Sequence, residues 1–252
     1  MPDEPAILFQ CINLERETER RERFKAQESR LPGPVVVIEA VDGRTLDAAG
    51  VATLGYDRET RLAAHHRNLT ANEIACAGSH RKALKAFLKS SYPFGAVFED
   101  DVVLEPDFAE KVRELVTSTR GWDAVKLESR DSRKPGLTLC HWGGGRLTAP
   151  ARPGLGATAI LYTRAGAEKV LRMTDGFSTG FDTELNAHWR HGIIIVQTHP
   201  PLARQHGALE SSIGERGENR RDRGWRERLS RLGQSLGKRA FMLKTRLRVR
   251  CR

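Results

Sequence analysis

The chain has 252 residues, 39% apolar and 29% charged, with 42 Lys+Arg against 32 Asp+Glu for a net charge of +10. That length and composition support a buried core of one or two domains and exclude a disordered or collagenous chain. The charge is lopsided, because residues 220–252 hold 13 Lys/Arg against only Asp222 and Glu227, which leaves residues 1–219 nearly neutral. A nucleic-acid-binding protein using this basic segment is therefore the less favoured reading, since no base-reading motif accompanies it, and no nucleic acid is expected as a partner.

Cys11, Cys76, Cys140 and Cys251 are scattered without a CxxC pair. This predicts neither a zinc framework nor a disulfide scaffold and suits a reducing compartment. The first residues lack a basic n-region, so no signal peptide is expected, and no segment has the length and hydropathy of a membrane span. The expected location is cytoplasmic.

Apolar runs alternate with helical patterns through the first 200 residues, which predicts an α/β fold around a largely parallel sheet. Strands are expected at Ala6–Ile12, Val35–Ala40, Ala96–Phe98, Ala124–Leu127, Ala157–Tyr162 and Ile193–Thr198. Helices are expected at Glu17–Ser29, Thr70–Lys89, Phe108–Thr119, Arg164–Met173 and Thr183–Arg190. The second of these opens on Thr70-Ala-Asn-Glu73, a capping box. Ser129–Gly136 and Gly143–Gly156 read as loops, and the polar, Gly-containing stretch 206–224 reads as a linker after a catalytic domain spanning 1–205.

The sharpest local feature is Glu99-Asp100-Asp101, three carboxylates directly after a short apolar strand. Adjacent like charges repel and are better tolerated around a divalent cation. Ligands of open α/β sheets bind beyond strand carboxyl ends, where this cluster falls. Strand alternation would place Glu99 and Asp101 on one side and Asp100 on the other. An all-oxygen set favours Mg²⁺ or Mn²⁺ over zinc, and such an ion suits a nucleotide diphosphate. The chain has no P-loop and no GxGxxG. Arg16, Arg20 and Arg21 stand where they could assist a diphosphate, or they could pair with Glu15, Glu17 and Glu19 on a solvated face. The alternative for the acids is a solvated turn.

Glu73, Cys76 and His80 share one helical face. A zinc site would want more His or Cys ligands, and the adjacent Ser79 and His80 diverge too far for a nucleophilic pair. The favoured reading is a core thiol with Glu73 and His80 hydrogen-bonded at the edge of a site.

These pieces form an ordered set: Cys11-Ile-Asn13-Leu14-Glu15-Arg16 with Glu19-Arg20-Arg21; Glu73-Ile-Ala-Cys76 with Ser79-His80; and Phe98-Glu99-Asp100-Asp101-Val102. Further on come Gly156-Ala-Thr158-Ala159-Ile-Leu-Tyr162 with Ala165-Gly166-Ala167, then Asp182, and finally Pro200-Pro201-Leu202 with Gln205. In order and spacing over roughly residues 6–215 the chain resembles glycosyltransferase family 25, the group of lipooligosaccharide β-galactosyltransferases and collagen galactosyltransferases. The resemblance implies a GT-A-like, Rossmann-type domain, a UDP-sugar donor and a divalent cation held by the acidic cluster. On that basis Asp101 is the first metal ligand, and Glu99 is aimed at the metal or the donor ribose. Asn13, Leu14, Arg16, Arg20 and Asp100 line the nucleotide pocket, with Ser79 and His80 near the donor. Inverting transfer needs one general base. Asp182 is the first candidate and Glu184 the second, each with an alternative role at the start of a helix.

Residues 225–252 place Trp225, Leu229, Leu232, Leu236, Ala240, Leu243 and Leu247 on one helical stripe with the basic residues outside it. Such a C-terminal basic amphipathic helix suits an anionic membrane surface. The alternative is packing on the body or on another subunit. The expected protein is thus a metal-dependent inverting galactosyltransferase acting on a lipid-linked saccharide of lipopolysaccharide type, peripheral on the cytoplasmic face of the inner membrane. The rival within the same fold is a non-catalytic domain that binds nucleotide or a partner.

Overall fold

The computed structural model describes residues 6–128, 136–149, 156–207, 237 and 240–251. The first half runs β1 (Ile7–Asn13), α1 (Thr18–Lys25), β2 (Val35–Glu39), α2 (Ala48–Thr53), α3 (Arg58–His65), α4 (Ala71–Lys89), β3 (Phe94–Glu99), β4 (Val102–Leu104), α5 (Phe108–Ser118), β5 (Thr119–Arg120) and β6 (Ala124–Lys126). The second half runs β7 (Leu137–Trp142), β8 (Gly145–Ala149), β9 (Ala159–Thr163), α6 (Arg164–Met173), α7 (Phe181–Leu185), β10 (Ile195–His199), β11 (Ala203–Gln205), a helix α8 over residues 240–248, and β12 (Arg250–Cys251).

Eight strands form one sheet in the order β2-β1-β3-β9-β6-β10-β8-β7. The α/β class is as expected, but the sheet is mixed rather than largely parallel. β1 is parallel to β2 and β3, and β6 is parallel to β10. β9 enters antiparallel between β3 and β6, and the β7–β8 hairpin adds antiparallel to β10. The apolar run of β9 specified burial on both faces, and burial carries no information on strand direction. Because β3 and β6 both oppose β9, their carboxyl ends lie on the same edge of the sheet.

Each face of the sheet has its own core. One is built on Phe9, Phe98 and Phe108 with Phe24, Val112 and Leu115, its rings stacked, tilted or edge-on at centroid distances of 6.0–6.3 Å. The other gathers Leu84, Phe87, Val97, Ile160, Val170, Phe177 and Phe181 under α4, α6 and α7. Burying each such side chain contributes about 1.5–3 kcal/mol. α4 begins where its capping box predicts, with Thr70 accepting from Glu73 N–H and Glu73 accepting from Thr70 N–H. Buried Arg81 on α4 donates to Leu171 O and Thr174 Oγ1 and so locks α4 to α6. Gly166 lets α6 start directly against the carbonyl of Asp123, a space that a Cβ would fill.

Several stretches differ from expectation. The helix expected at Glu17–Ser29 ends at Lys25 and continues as a 3₁₀ turn at Glu28–Arg30. Thr183–Arg190 becomes α7 followed by a 3₁₀ turn, His188–His191. Leu137–Ala149, read mainly as loop, is the β7–β8 hairpin. α2 and α3, capped by Asp47 and Asp57, were not anticipated.

Of the predicted amphipathic stripe, Trp225, Leu229, Leu232 and Leu236 lie outside the described residues, as does nearly all of the predicted linker. α8 packs on the body through Phe241, Thr245 and, just beyond it, Val249, with the Phe241 ring edge-on to His188 at 5.6 Å. β12 then pairs antiparallel with β5, and Cys251 is disulfide-bonded to Cys140 on β7, Cα to Cα 5.7 Å. This corrects the expectation that the cysteines stay unpaired. The partners are 111 residues apart and only the fold brings them together. No helix among the described residues is long and apolar enough to cross a membrane.

A crosslink closing so long a loop stabilises mainly by restricting the unfolded chain. Cys251→Ser, or reduction, is expected to lower unfolding free energy by about 2–5 kcal/mol. In a chain of this size that is a fall of about 2–4 °C in Tm per kcal/mol, read by thermal melts with and without reductant.

Candidate functional site

The acidic cluster sits where β3 stops. Glu99 is the last strand residue, and Asp100 and Asp101 form the turn into β4. Strand alternation therefore does not govern the three side chains, and each carboxylate takes its own partners. Asp100 accepts from Asn13 Nδ2 at 2.8 Å and from Arg20 at 3.2 Å. Asp101 Oδ2 accepts from Gln205 Nε2 at 2.8 Å, and the Asp101 carbonyl accepts from His206 N–H. Glu99 turns to α4 and β9, with Oε1 3.2 Å from His80 Nε2 and Oε2 accepting from Thr158 Oγ1 at 3.2 Å.

Asn13, at the end of β1 and 1% exposed, is the hub of the first of these sets. Its amide also donates to Glu17 O, and its Oδ1 accepts from Arg21 Nε. Its polar atoms fix Asp100 and α1 rather than face outward into a pocket. Arg20 bridges Asp100 and Glu17, whereas Arg16 pairs with Asp42 and Glu17 near the surface. The solvated-face alternative thus describes Arg16, while Arg20 reaches the cluster. Leu14 is half-buried beside them. Ser79, expected near the donor, donates to Ala75 O and accepts from Val41 N–H, which ties α4 to the segment after β2. Glu73 is likewise taken up by its capping box.

The two candidate bases part company. Glu184 Oε1 accepts from Ser178 N–H, Thr179 N–H and Thr179 Oγ1, so this carboxylate braces the turn that starts its own helix. Asp182 is not the N-cap, a place taken by Gly180. Its Oδ2 accepts from Gly156 N–H at 3.2 Å, two residues before the Thr158 that holds Glu99. Next to it, Phe181 stacks on His80 at 4.3 Å between ring centroids. Asp182 is therefore tied to the acidic cluster along two routes.

Thr158, Phe181 and the buried pair Lys126–Glu128, 3.3 Å apart on the same sheet edge, were passed over as site residues. The signal for the pair was present in Ala124-Val125-Lys126-Leu127-Glu128, where charges alternate within an apolar strand.

A cation at Asp101 fits the atoms present. Asp101 is 9% exposed, and its Oδ1 is buried with no hydrogen-bond partner among the described residues. Burial pushes its carboxyl pKa above the ordinary range, and the neighbouring Glu99 charge pushes it further. Asp100 is also raised by burial, against the opposing pull of Asn13 and Arg20. A carboxyl with a raised folded pKa costs nothing below its unfolded pKa, and its full cost appears above the folded one. Asp101→Asn should therefore stabilise the cation-free protein near neutrality, by roughly 1 kcal/mol or about 2–4 °C in Tm. The gain should shrink as pH falls through the raised folded pKa of Asp101 and be gone below the ordinary aspartate pKa of about 3.9. Melts in chelator at the two pH values check this.

Residues 9–134, half of the chain, match glycosyltransferase family 25 (LPS biosynthesis protein). The chain is 32% identical over 122 residues to procollagen galactosyltransferase 1-A of Xenopus laevis, an overlap of 46% of this chain and 20% of that protein. It is 27% identical over 214 residues to the human inactive glycosyltransferase 25 family member 3, covering 76% of this chain and 35% of that one. It thus spans a fifth to about a third of these relatives' lengths. Among solved structures it is similar to a Drosophila β1,4-galactosyltransferase 7 in complex with manganese, UDP-Gal and xylobiose, at TM-score 0.39 and 10% identity over 90% of this chain and 79% of that one. The acidic turn, the Asn13 hub and the start of α4 all lie within the matched span, and the chain belongs to glycosyltransferase family 25.

Proposed function

We propose that this chain is an inverting, divalent-cation-dependent glycosyltransferase that moves galactose from UDP-galactose to a saccharide acceptor of a lipid-linked cell-surface glycan such as lipopolysaccharide. The observation that carries the reading is Asp101 Oδ1, a buried carboxylate oxygen without a hydrogen-bond partner among the described residues, at the end of a central strand. Mn²⁺ or Mg²⁺ held at Asp101 would stabilise the charge that develops on the departing diphosphate.

The chain's own residues supply the rest. Asn13 and Arg20 hold Asp100 away from Asp101, so that the turn presents one open carboxylate oxygen. Gln205 fixes the rotation of Asp101 by occupying its other oxygen. Asp182 takes the proton from the attacking acceptor hydroxyl as that oxygen bonds to the anomeric carbon, and its link to Gly156 N–H orients the carboxylate for the task.

The test is hydrolysis or transfer assays with UDP-galactose and other UDP-sugars. Activity should require Mn²⁺ or Mg²⁺ and fall on the order of 100-fold or more in Asp101→Ala. Asp182→Asn should lose about 10²–10⁴-fold in kcat with donor binding kept. Full activity in chelator would overturn the cation's role. UDP binding without turnover would favour the non-catalytic reading, which the similarity to a relative named inactive keeps in view.

The basic segment has a proposed role beside this one. On α8, Leu243 and Leu247 are 61% and 65% exposed, one turn apart, with Lys244, Arg246 and Arg248 exposed around them. An apolar pair rimmed by cations suits an anionic lipid surface, where a membrane-borne acceptor would be met. A disulfide persists in oxidising surroundings. The Cys140–Cys251 bond departs from the reducing compartment that scattered cysteines suggested, and the lipid contact is proposed independently of compartment. Co-sedimentation should show binding to phosphatidylglycerol-containing vesicles but not to phosphatidylcholine vesicles. The binding should weaken with salt and drop about tenfold in Leu243→Ser/Leu247→Ser.

A further inference from the structure

Glu99 is the member of the acidic turn held by His80 and Thr158. It faces α4, where Cys76 and His80 stand four residues apart on one side of the helix. One ligand atom from each of Cys76, His80 and Glu99 lies within 4.8 Å of the other two. Glu73, which shares the helical face in sequence, is held in the capping box, so the third group comes from the end of β3 instead.

The geometry points to a second cation site, formed by Cys76 Sγ, His80 Nε2 and Glu99 Oε1, that takes a thiolate- and imidazole-preferring ion of the zinc class. A thiol, an imidazole and a carboxylate are a donor set for Zn²⁺ rather than for Mg²⁺ or Mn²⁺. Tetrahedral zinc with bonds of about 2.0–2.1 Å to nitrogen and oxygen sets those two atoms about 3.3 Å apart. The His80–Glu99 separation is 3.2 Å. The longer bond to sulfur calls for edges of about 3.6 Å, so from within 4.8 Å the thiol closes a gap of about 1.2 Å or less to complete the set.

The surroundings also match what ligand groups need. Phe181 stacked on His80 fixes the plane of the imidazole, and Thr158 holds the second oxygen of Glu99 so that the first points to the cluster. Such neighbours orient ligands in metal sites. His80 is 2% exposed, which leaves the half-buried Cys76 and Glu99 to face the approach. Three protein ligands leave one position of a tetrahedron for a further group.

This site is independent of the cation proposed at Asp101, and its test separates the two. The full-length chain, stripped of metal, is titrated with Co²⁺ alone. The expected result is one equivalent with a sulfur-to-cobalt charge-transfer absorption, displaced by Zn²⁺, together with a Zn²⁺-dependent rise in Tm. Cys76→Ser should abolish the charge-transfer band and His80→Gln should weaken Co²⁺ binding at least tenfold, each checked for folding by circular dichroism. Asp101→Asn should keep the band while losing Mn²⁺-dependent donor hydrolysis. A wild-type protein with no band, or a band that survives in Cys76→Ser, overturns the inference and leaves the Asp101 reading intact. A band in a protein with no hydrolysis activity does the reverse.

Discussion

Three carboxylates in sequence at the end of a buried strand repel one another, and much of the surrounding architecture serves to divide them. Asp100 is drawn toward β1 and α1 by Asn13 and Arg20, Asp101 toward β11 by Gln205, and Glu99 toward α4 and β9 by His80 and Thr158. The division depends on the strand stopping at Glu99. Two more residues of extended chain, Asp100 and Asp101, would impose alternation and bring Glu99 and Asp101 to one face. It also depends on β1 lying beside β3 in parallel register, Ile12 opposite Glu99, which places Asn13 beside the turn. The separation leaves Asp101 as the acid whose open oxygen is not neutralised from within the described protein, and that imbalance is what a cation would relieve.

Much of this could be read in the amino-acid order, for identifiable reasons. α4 announced itself through Thr70 and Glu73, because a capping box is a local arrangement. The acidic turn stood out because three charges end an apolar run. β9 was seen as a strand but not as antiparallel, since Ala159–Thr163 is apolar on both faces and would look the same either way round. α3 escaped because most of its residues face solvent and supply no apolar period, although Asp57 at its N-cap was a usable mark. The hairpin of β7 and β8 was hidden by half-exposed strands between glycine-rich neighbours.

The site was legible as residue types but not as contacts. Nothing local to Asp101 names Gln205, 104 positions away, and nothing local to Glu99 names Thr158. The family resemblance gave Asn13 as a pocket-lining residue, and in the fold its buried carboxamide brackets Asp100. Glu184 stood second to Asp182 as candidate base, and the bonds from Ser178 and Thr179 show it committed to a turn. Residue chemistry fixes which tasks are possible. Long-range packing decides which of them a given side chain is left to perform.

β11 and α8 are both held to the body of the fold. Gln205 and His206 are bonded to Asp101 at the acidic turn, and α8 and β12 are seated on the body and held there by Cys140. The basic face of α8 is thus seated on the body of the fold. A membrane that engaged Leu243 and Leu247 would set the bearing of the whole sheet relative to the lipid plane. On the proposed function, the acceptor reached would then depend in part on how far its sugars stand above the bilayer.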